Sequence, residues 1–335
     1  MRIVFSEEVM ADKQLWPTLD RILFTVEDGW HLWEIPDPEA MEQSHWLLKG
    51  RSQLRDLFEA ASRHSAWQSR GDIHFRCVIV AAQSSNDPSR LPAETARRYL
   101  SQPLVVLMEN TESDGMFLDA VLDLLGCEEL QRLRSCSPPA IEYDSPGGSE
   151  LPKRIGKYID DPAWTGVPRR IFVVTDSDRL TDDDDLGQLA EQVTAACEAN
   201  KVPFHILQKR SIENYIPQAA LEARAERTPD LREKAAAIAR LDSEQRDHFP
   251  LKKGFPKGIP PKQQSLFSLS RWNEEDRAIL LDEGKREFGK KIYQIFRDHR
   301  DEITSESLRE CSGPQLDDGD ETELDHLVTQ ICREL

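Results

Sequence analysis

Three short segments, 104–108, 170–175 and 203–207, are almost wholly apolar, with none of the alternation of a half-exposed strand. Runs of this kind belong in a sheet covered on both faces. After the first, Phe117, Leu118, Val121, Leu122, Leu124 and Leu125 recur at helical spacing. A Pro-, Gly- and Ser-rich loop follows over 135–152, then a short helix over 154–159, and a longer helix is predicted over 186–200. Strand, helix, strand, helix, strand predicts a parallel sheet with helices on its faces. Ligands bind such sheets at the carboxyl ends of the strands.

The flanking regions read differently. Apolar runs at 22–26 and 30–35 surround Glu27-Asp28-Gly29, which predicts a hairpin. A helix over 47–67, a strand over 75–82 and a short helix over 93–100 complete a mixed unit. Beyond Tyr215 the pattern is helical, over 219–227, 231–248 and 276–297, with a terminal helix within 317–335 and a Gly/Pro loop at 250–261. The fold class is therefore α/β, with a parallel-sheet domain at 102–220. A mixed α/β domain at 1–101 precedes it, and a helical region at 221–335 follows.

Composition narrows the classes. The 335 residues carry 43 Lys+Arg against 61 Asp+Glu, a net charge of −18. That balance opposes a non-specific coat on a polyanion, but leaves open a nucleic-acid substrate held by a local patch and by metal ions. No apolar run approaches a membrane span, so no membrane partner is expected. The start, MRIVFSEEVMADK, has no secretory pattern, and six scattered cysteines form no CxxC pair. A reducing, cytoplasmic setting is the expectation. GxxxxGK[ST], GxSxG and HExxH are all absent from the sequence, and the tryptophans concentrated before residue 68 are expected to serve packing.

The chemistry gathers at the ends of the apolar runs. Glu109 follows the first, and Asp176 and Asp178 follow the second. In an extended Asp-x-Asp the two carboxylates leave on one side about 7 Å apart. Glu109 from a neighbouring strand would complete a hard-oxygen site for Mg²⁺, with Mn²⁺ as a substitute. Such ions activate water and stabilise the leaving oxygen in phosphodiester hydrolysis. Lys209 and Arg210, after the third run, are candidates to meet a phosphate. Glu213 is a ligand, an ion-pair partner of those cations, or the first charge of a short helix. Lys252, Lys253, Lys257 and Lys262, in a stretch without acidic residues, are candidates for nucleic-acid backbone contact. Asp182 to Asp185 form an acidic run directly after the Asp-x-Asp.

The segments LVVLMENTESDGMFLDAVLDLLG, IFVVTDSD and HILQKRSIENYIP together resemble a Toprim domain. The version they most resemble is that of OLD-family nucleases and stand-alone Toprim proteins of bacterial anti-phage defence. The resemblance covers about 103–220. It implies a Mg²⁺-dependent endonuclease with Glu109, Asp176, Asp178 and Lys209 as catalytic residues and Glu109, Asp114, Asp176 and Asp178 at the metal. Glu112 and Glu213 would support them, and Glu213-Asn214-Tyr215 would be the closing segment. The family usually has glycine after its glutamate and an aspartate four residues on. Here Asn110 follows, and the aspartate is Asp114, with Glu112 the alternative for part of its role. The resemblance also implies a toxic effector acting on DNA or RNA under control of a partner ATPase or sensor, and a homodimer is a further expectation. The rivals are a catalytically silent Toprim scaffold that binds nucleic acid or protein, and a primase-like nucleotidyl transferase.

Overall fold

The computed structural model describes residues 1–49, 52–68, 75–226, 231–255, 257–268, 270–281, 288–289, 291–313 and 321–335. Part of the helix predicted over 276–297 lies outside them. Among the described residues, no helix is long and apolar enough to cross a membrane.

The chain is α/β and builds two four-stranded sheets, both parallel. The first contains β1 (Arg2–Phe5), β2 (Leu32–Trp33), β3 (Cys77–Ala81) and β4 (Arg90–Pro92), in the order β2-β1-β3-β4. The second contains β5 (Leu104–Leu107), β6 (Ile141–Asp144), β7 (Ile171–Thr175) and β8 (Phe204–Ile206), in the order β6-β5-β7-β8.

The predicted hairpin around Asp28-Gly29 does not form. Residues Trp16–Glu27 are one helix that buries Leu19, Ile22 and Leu23, and Asp28-Gly29 ends it. Gly29 takes a left-handed φ of +82°, and the Trp30 N–H returns to the Thr25 carbonyl at 2.9 Å. Glycine with positive φ closes helices as readily as it turns hairpins, and the i, i+3, i+4 spacing of the three buried residues decides for the helix. β2 then pairs with β1 in parallel. Trp33 and Trp46 pack edge-on or tilted against Phe5 and each other, inside the core of this first unit.

In the second sheet, alternate side chains feed different cores. Val105, Leu107, Ile171 and Val173 meet Leu151 and Ile155 of the helix Leu151–Ile159 and Val193 and Cys197 of the helix Gln188–Asn200. Leu104, Val106, Met108, Phe172 and Val174 meet Phe117, Leu118 and Val121 of the helix Ser113–Leu125, and the C-terminal helices share that core. Successive crossovers thus place β6 on one side of β5 and β7 on the other. The strand order reverses there, and the crevice outside β5 and β7 is where such sheets bind ligands. The last helix, Glu323–Glu334, is tied back by Arg170, whose guanidinium donates to the carbonyls of Gln102, Glu334 and Leu335 at 2.7 to 3.0 Å.

Candidate carboxylate site at the edge of the second sheet

The β5–β7 register pairs Leu107 with Val173, so two residues further on Glu109 lies opposite Thr175. The Thr175 hydroxyl accordingly donates to Glu109 Oε1 at 2.9 Å. Burial raises the Glu109 carboxyl to about 7, and Asp114 and Asp178 push the same way. Gly148 comes in from the loop after β6. A Cβ there would stand 3.4 Å from Glu109 Oε2, so the glycine leaves that oxygen open.

Asp176 accepts the Ile212 N–H at 3.0 Å. Its carboxyl is raised well above the usual range, first by burial and then by Glu213, Asp114, Glu109 and Asp178. The intervening Ser177 is buried and donates to the Lys209 carbonyl at 2.8 Å. Asp178 is exposed, with a left-handed φ of +53°, and its N–H bonds the Arg210 carbonyl at 3.0 Å. Gly187 closes this loop through a 2.8 Å bond from its N–H to the Ser177 carbonyl. A Cβ on Gly187 would fall 2.5 Å from Asp178 Cβ.

Asp114 joins the same group. Its carboxylate accepts the Asn110 N–H at 3.0 Å and the Ser113 hydroxyl at 2.7 Å, and its carboxyl is raised by burial and, among charges, by Glu213. Asn110, where the resembled family has glycine, takes the Glu112 N–H on Oδ1 at 2.8 Å in the turn that leads into the helix carrying Asp114. Glu112 itself is exposed, and its charge helps raise the Tyr293 hydroxyl.

The two cations after β8 diverge. Lys209 is only 6% exposed. It pairs with Asp247 and lies over the Tyr215 ring, with its ammonium 5.4 Å from the centroid. Arg210 is the one that senses the cluster: burial lowers its pKa, and Asp178, Asp176 and Glu213 oppose that.

Glu213 is 3% exposed, and its charge helps raise Asp176 and Asp114. Its Oε1 lies 3.1 Å from Lys252 Nζ, yet accepts no hydrogen bond of good geometry. Lys252 therefore sits inside the site, where its charge also faces Asp176 and Asp114. Lys262 pairs instead with Asp184, while Lys253 and Lys257 are exposed. Residues on either side of the Gly/Pro loop hold the segment from Leu180 to Asp184. Gln263 Nε2 donates to the Leu180 carbonyl at 2.8 Å, and buried His248 meets Asp182 at 2.9 Å. The sequence signals for Lys252 and for its neighbours in the loop are identical, so only the fold separates them.

Glu109, Asp114, Asp176, Asp178 and Glu213 thus arrive from three segments onto one edge. Among the described residues, no group of three or more His, Cys, Asp or Glu side chains closes into a ready metal cage. The donor chemistry nevertheless suits a hard divalent ion: every group is a carboxylate, and three are raised by burial and mutual repulsion. Compared with known proteins, the chain matches no family model, no curated protein and no solved structure.

Proposed function

We propose that the carboxyl edge of the second sheet is the centre of a Mg²⁺-dependent nuclease that hydrolyses phosphodiester bonds in DNA or RNA. The observation that carries this reading is the convergence of Glu109, Asp114 and Asp176 beside exposed Asp178, with Arg210 facing the same group. So many carboxylates in one partly buried place are costly unless a cation joins them. Glu109, Asp176 and Asp178 would hold Mg²⁺ or Mn²⁺, with Asp114 assisting, and the ion would supply an activated water and a counter-charge for the leaving oxygen. The chain's own part is orientation. Thr175 fixes Glu109, the Ile212 N–H fixes Asp176, and Gly187 leaves room for the Asp178 turn. Arg210 would meet substrate phosphate, and Lys209, held by Asp247, would support the strand end. The Toprim-type resemblance supports the same reading. It extends the reading to a toxic effector of anti-phage defence restrained by a partner ATPase or sensor.

Purified protein would be tested on supercoiled plasmid, single-stranded DNA and tRNA, with Mg²⁺ or Mn²⁺ against EDTA, beside Glu109→Ala and Asp176→Ala. Metal-dependent cutting lost in both variants is expected. Cutting that survives both substitutions would remove this site from the reaction.

A silent scaffold is the second reading. The observation that favours it is Lys252, whose ammonium already neutralises part of the cluster. Divalent-ion affinity separates the two: a scaffold with a resident lysine has no need of a metal, so absence of binding by calorimetry would favour it.

A further inference from the structure

Beside the Asp-x-Asp loop lies a cleft of about 850 Å³ that the carboxylate site does not use. Arg179, the residue after Asp178, forms one wall, Lys209 another, and Arg246 and Asp247 of the helix Ser243–His248 a third. Its charges are unevenly committed. Of the acidic residues around it, Glu244 pairs with Arg271 and Asp247 with Lys209, while Asp182 meets the imidazole of His248. Glu310 is exposed. Among the described residues, Arg179 and Arg246 have no carboxylate partner. Arg246 spends Nη2 on the Ile216 carbonyl at 2.8 Å, which leaves Nη1 buried without an acceptor. Arg179 Nε is buried without an acceptor as well.

Two guanidinium groups that line one cleft without a carboxylate partner leave positive charge there for an anion to meet. Planar guanidinium groups match phosphate oxygens better than any other side chain. A cleft of this volume lies within the range that encloses a small molecule. We infer that the cleft binds the phosphate of a nucleotide unit through Arg179 and Arg246. Because Arg179 adjoins Asp178, a nucleotide seated there is a neighbour of the one cut at the carboxylate edge; this placement rests on the nuclease reading, and phosphate binding does not.

The test uses the full chain in EDTA, so that no metal or cutting contributes. A fluorescent single-stranded octanucleotide is titrated by polarisation, with thymidine 5′-monophosphate and inorganic phosphate as competitors. Arg179→Gln is expected to weaken octanucleotide binding about tenfold, and Arg179→Lys to recover part of it. Arg179→Gln with Arg246→Met should weaken it further and reduce the dependence on salt by about one released counterion per lost contact. Displacement by the mononucleotide at concentrations where inorganic phosphate fails identifies a nucleotide subsite. Equal displacement by the two would reduce it to a phosphate site and overturn the nucleotide assignment. Unchanged binding in Arg179→Gln overturns the proposal altogether, and that single variant decides if the double variant fails to fold by circular dichroism. The two readings fail separately. Protein that never cuts but binds through these arginines loses the nuclease reading and keeps the cleft. Protein that cuts while the arginine variants bind like wild type loses the cleft alone.

Discussion

Lys252→Met is the most informative single change, because it removes a cation from the carboxylate site without touching a carboxylate. The Lys252–Glu213 pair is 3.1 Å long, with the glutamate side chain 4% exposed and the lysine 39% exposed. At an effective dielectric of about 20, that separation corresponds to about 5 kcal/mol of attraction. Water at the lysine end screens much of this, and breaking a pair leaves one uncompensated charge. A net loss of about 2–3 kcal/mol is expected in EDTA, read as a lower urea midpoint. Added Mg²⁺ or Mn²⁺ should restore more stability to the variant than it adds to wild type, since the ion then neutralises carboxylates that have lost their lysine. A loss below about 0.5 kcal/mol, the scale of an ordinary surface change, would refute the placement of Lys252 within the cluster. An identical metal response in both proteins would refute the idea that lysine and metal answer to the same charges.

Glu109→Gln tests the raised carboxyl. Its folded value of about 7 exceeds the ordinary 4.5, so below pH 4.5 the charge costs nothing, stability falls as pH rises toward 7, and the full penalty of about 3 kcal/mol stands above that. In EDTA, Gln should therefore be more stable than wild type at pH 8 and equal to it at pH 4; equality at both would show that the site is not strained by charge. Gly187→Ala places a methyl 2.5 Å from Asp178 Cβ and 3.3 Å from the Ser177 carbonyl. The Asp178 turn must shift, at about 1–3 kcal/mol, and metal affinity by calorimetry should fall with it. Glu323 is fully buried, accepting from the Tyr215 hydroxyl and from the Gln208 N–H at 2.7 Å, with His205 Nε2 3.2 Å away. Glu323→Ala should cost about 3–5 kcal/mol in urea unfolding, and Glu323→Gln clearly less.

What the sequence made legible followed from local pattern. The apolar run at 104–108 could only be a strand covered twice, and the structure splits its residues between two cores. Ala93–Leu100 forms as a helix over the residues the spacing predicted. Elsewhere the same letters admitted two conformations. Asp28-Gly29 suited a turn and a helix end equally, and the helix formed because Leu19, Ile22 and Leu23 had a face to bury. β6 lies in the stretch read as a loop, since an edge strand of four residues, Ile141–Asp144, can carry Glu, Tyr and Asp without a continuous apolar run.

The candidate site was legible to the extent that it is built from strand ends. Glu109 and Asp176 could be set side by side from the order of the strands, but Asp114 and Glu112 could not be told apart by spacing. The difference lies in side-chain direction at the start of one helix, where the Asp114 carboxylate takes the Asn110 N–H. Lys209 and Arg210 are adjacent on a bend that follows β8, so alternation along a strand does not assign their directions. Asp247, 38 residues on, is what holds the Lys209 ammonium. Lys252 arrives 39 residues after Glu213 on a loop anchored by Lys262 and Gln263, so its role depends on docking that no local signal encodes. Arg246 and Asp247 come beside the Asp-x-Asp loop on the helix Ser243–His248, whose His248 ring lies 3.2 Å from the Arg179 carbonyl, so the cleft too is formed by a contact between segments far apart in the chain.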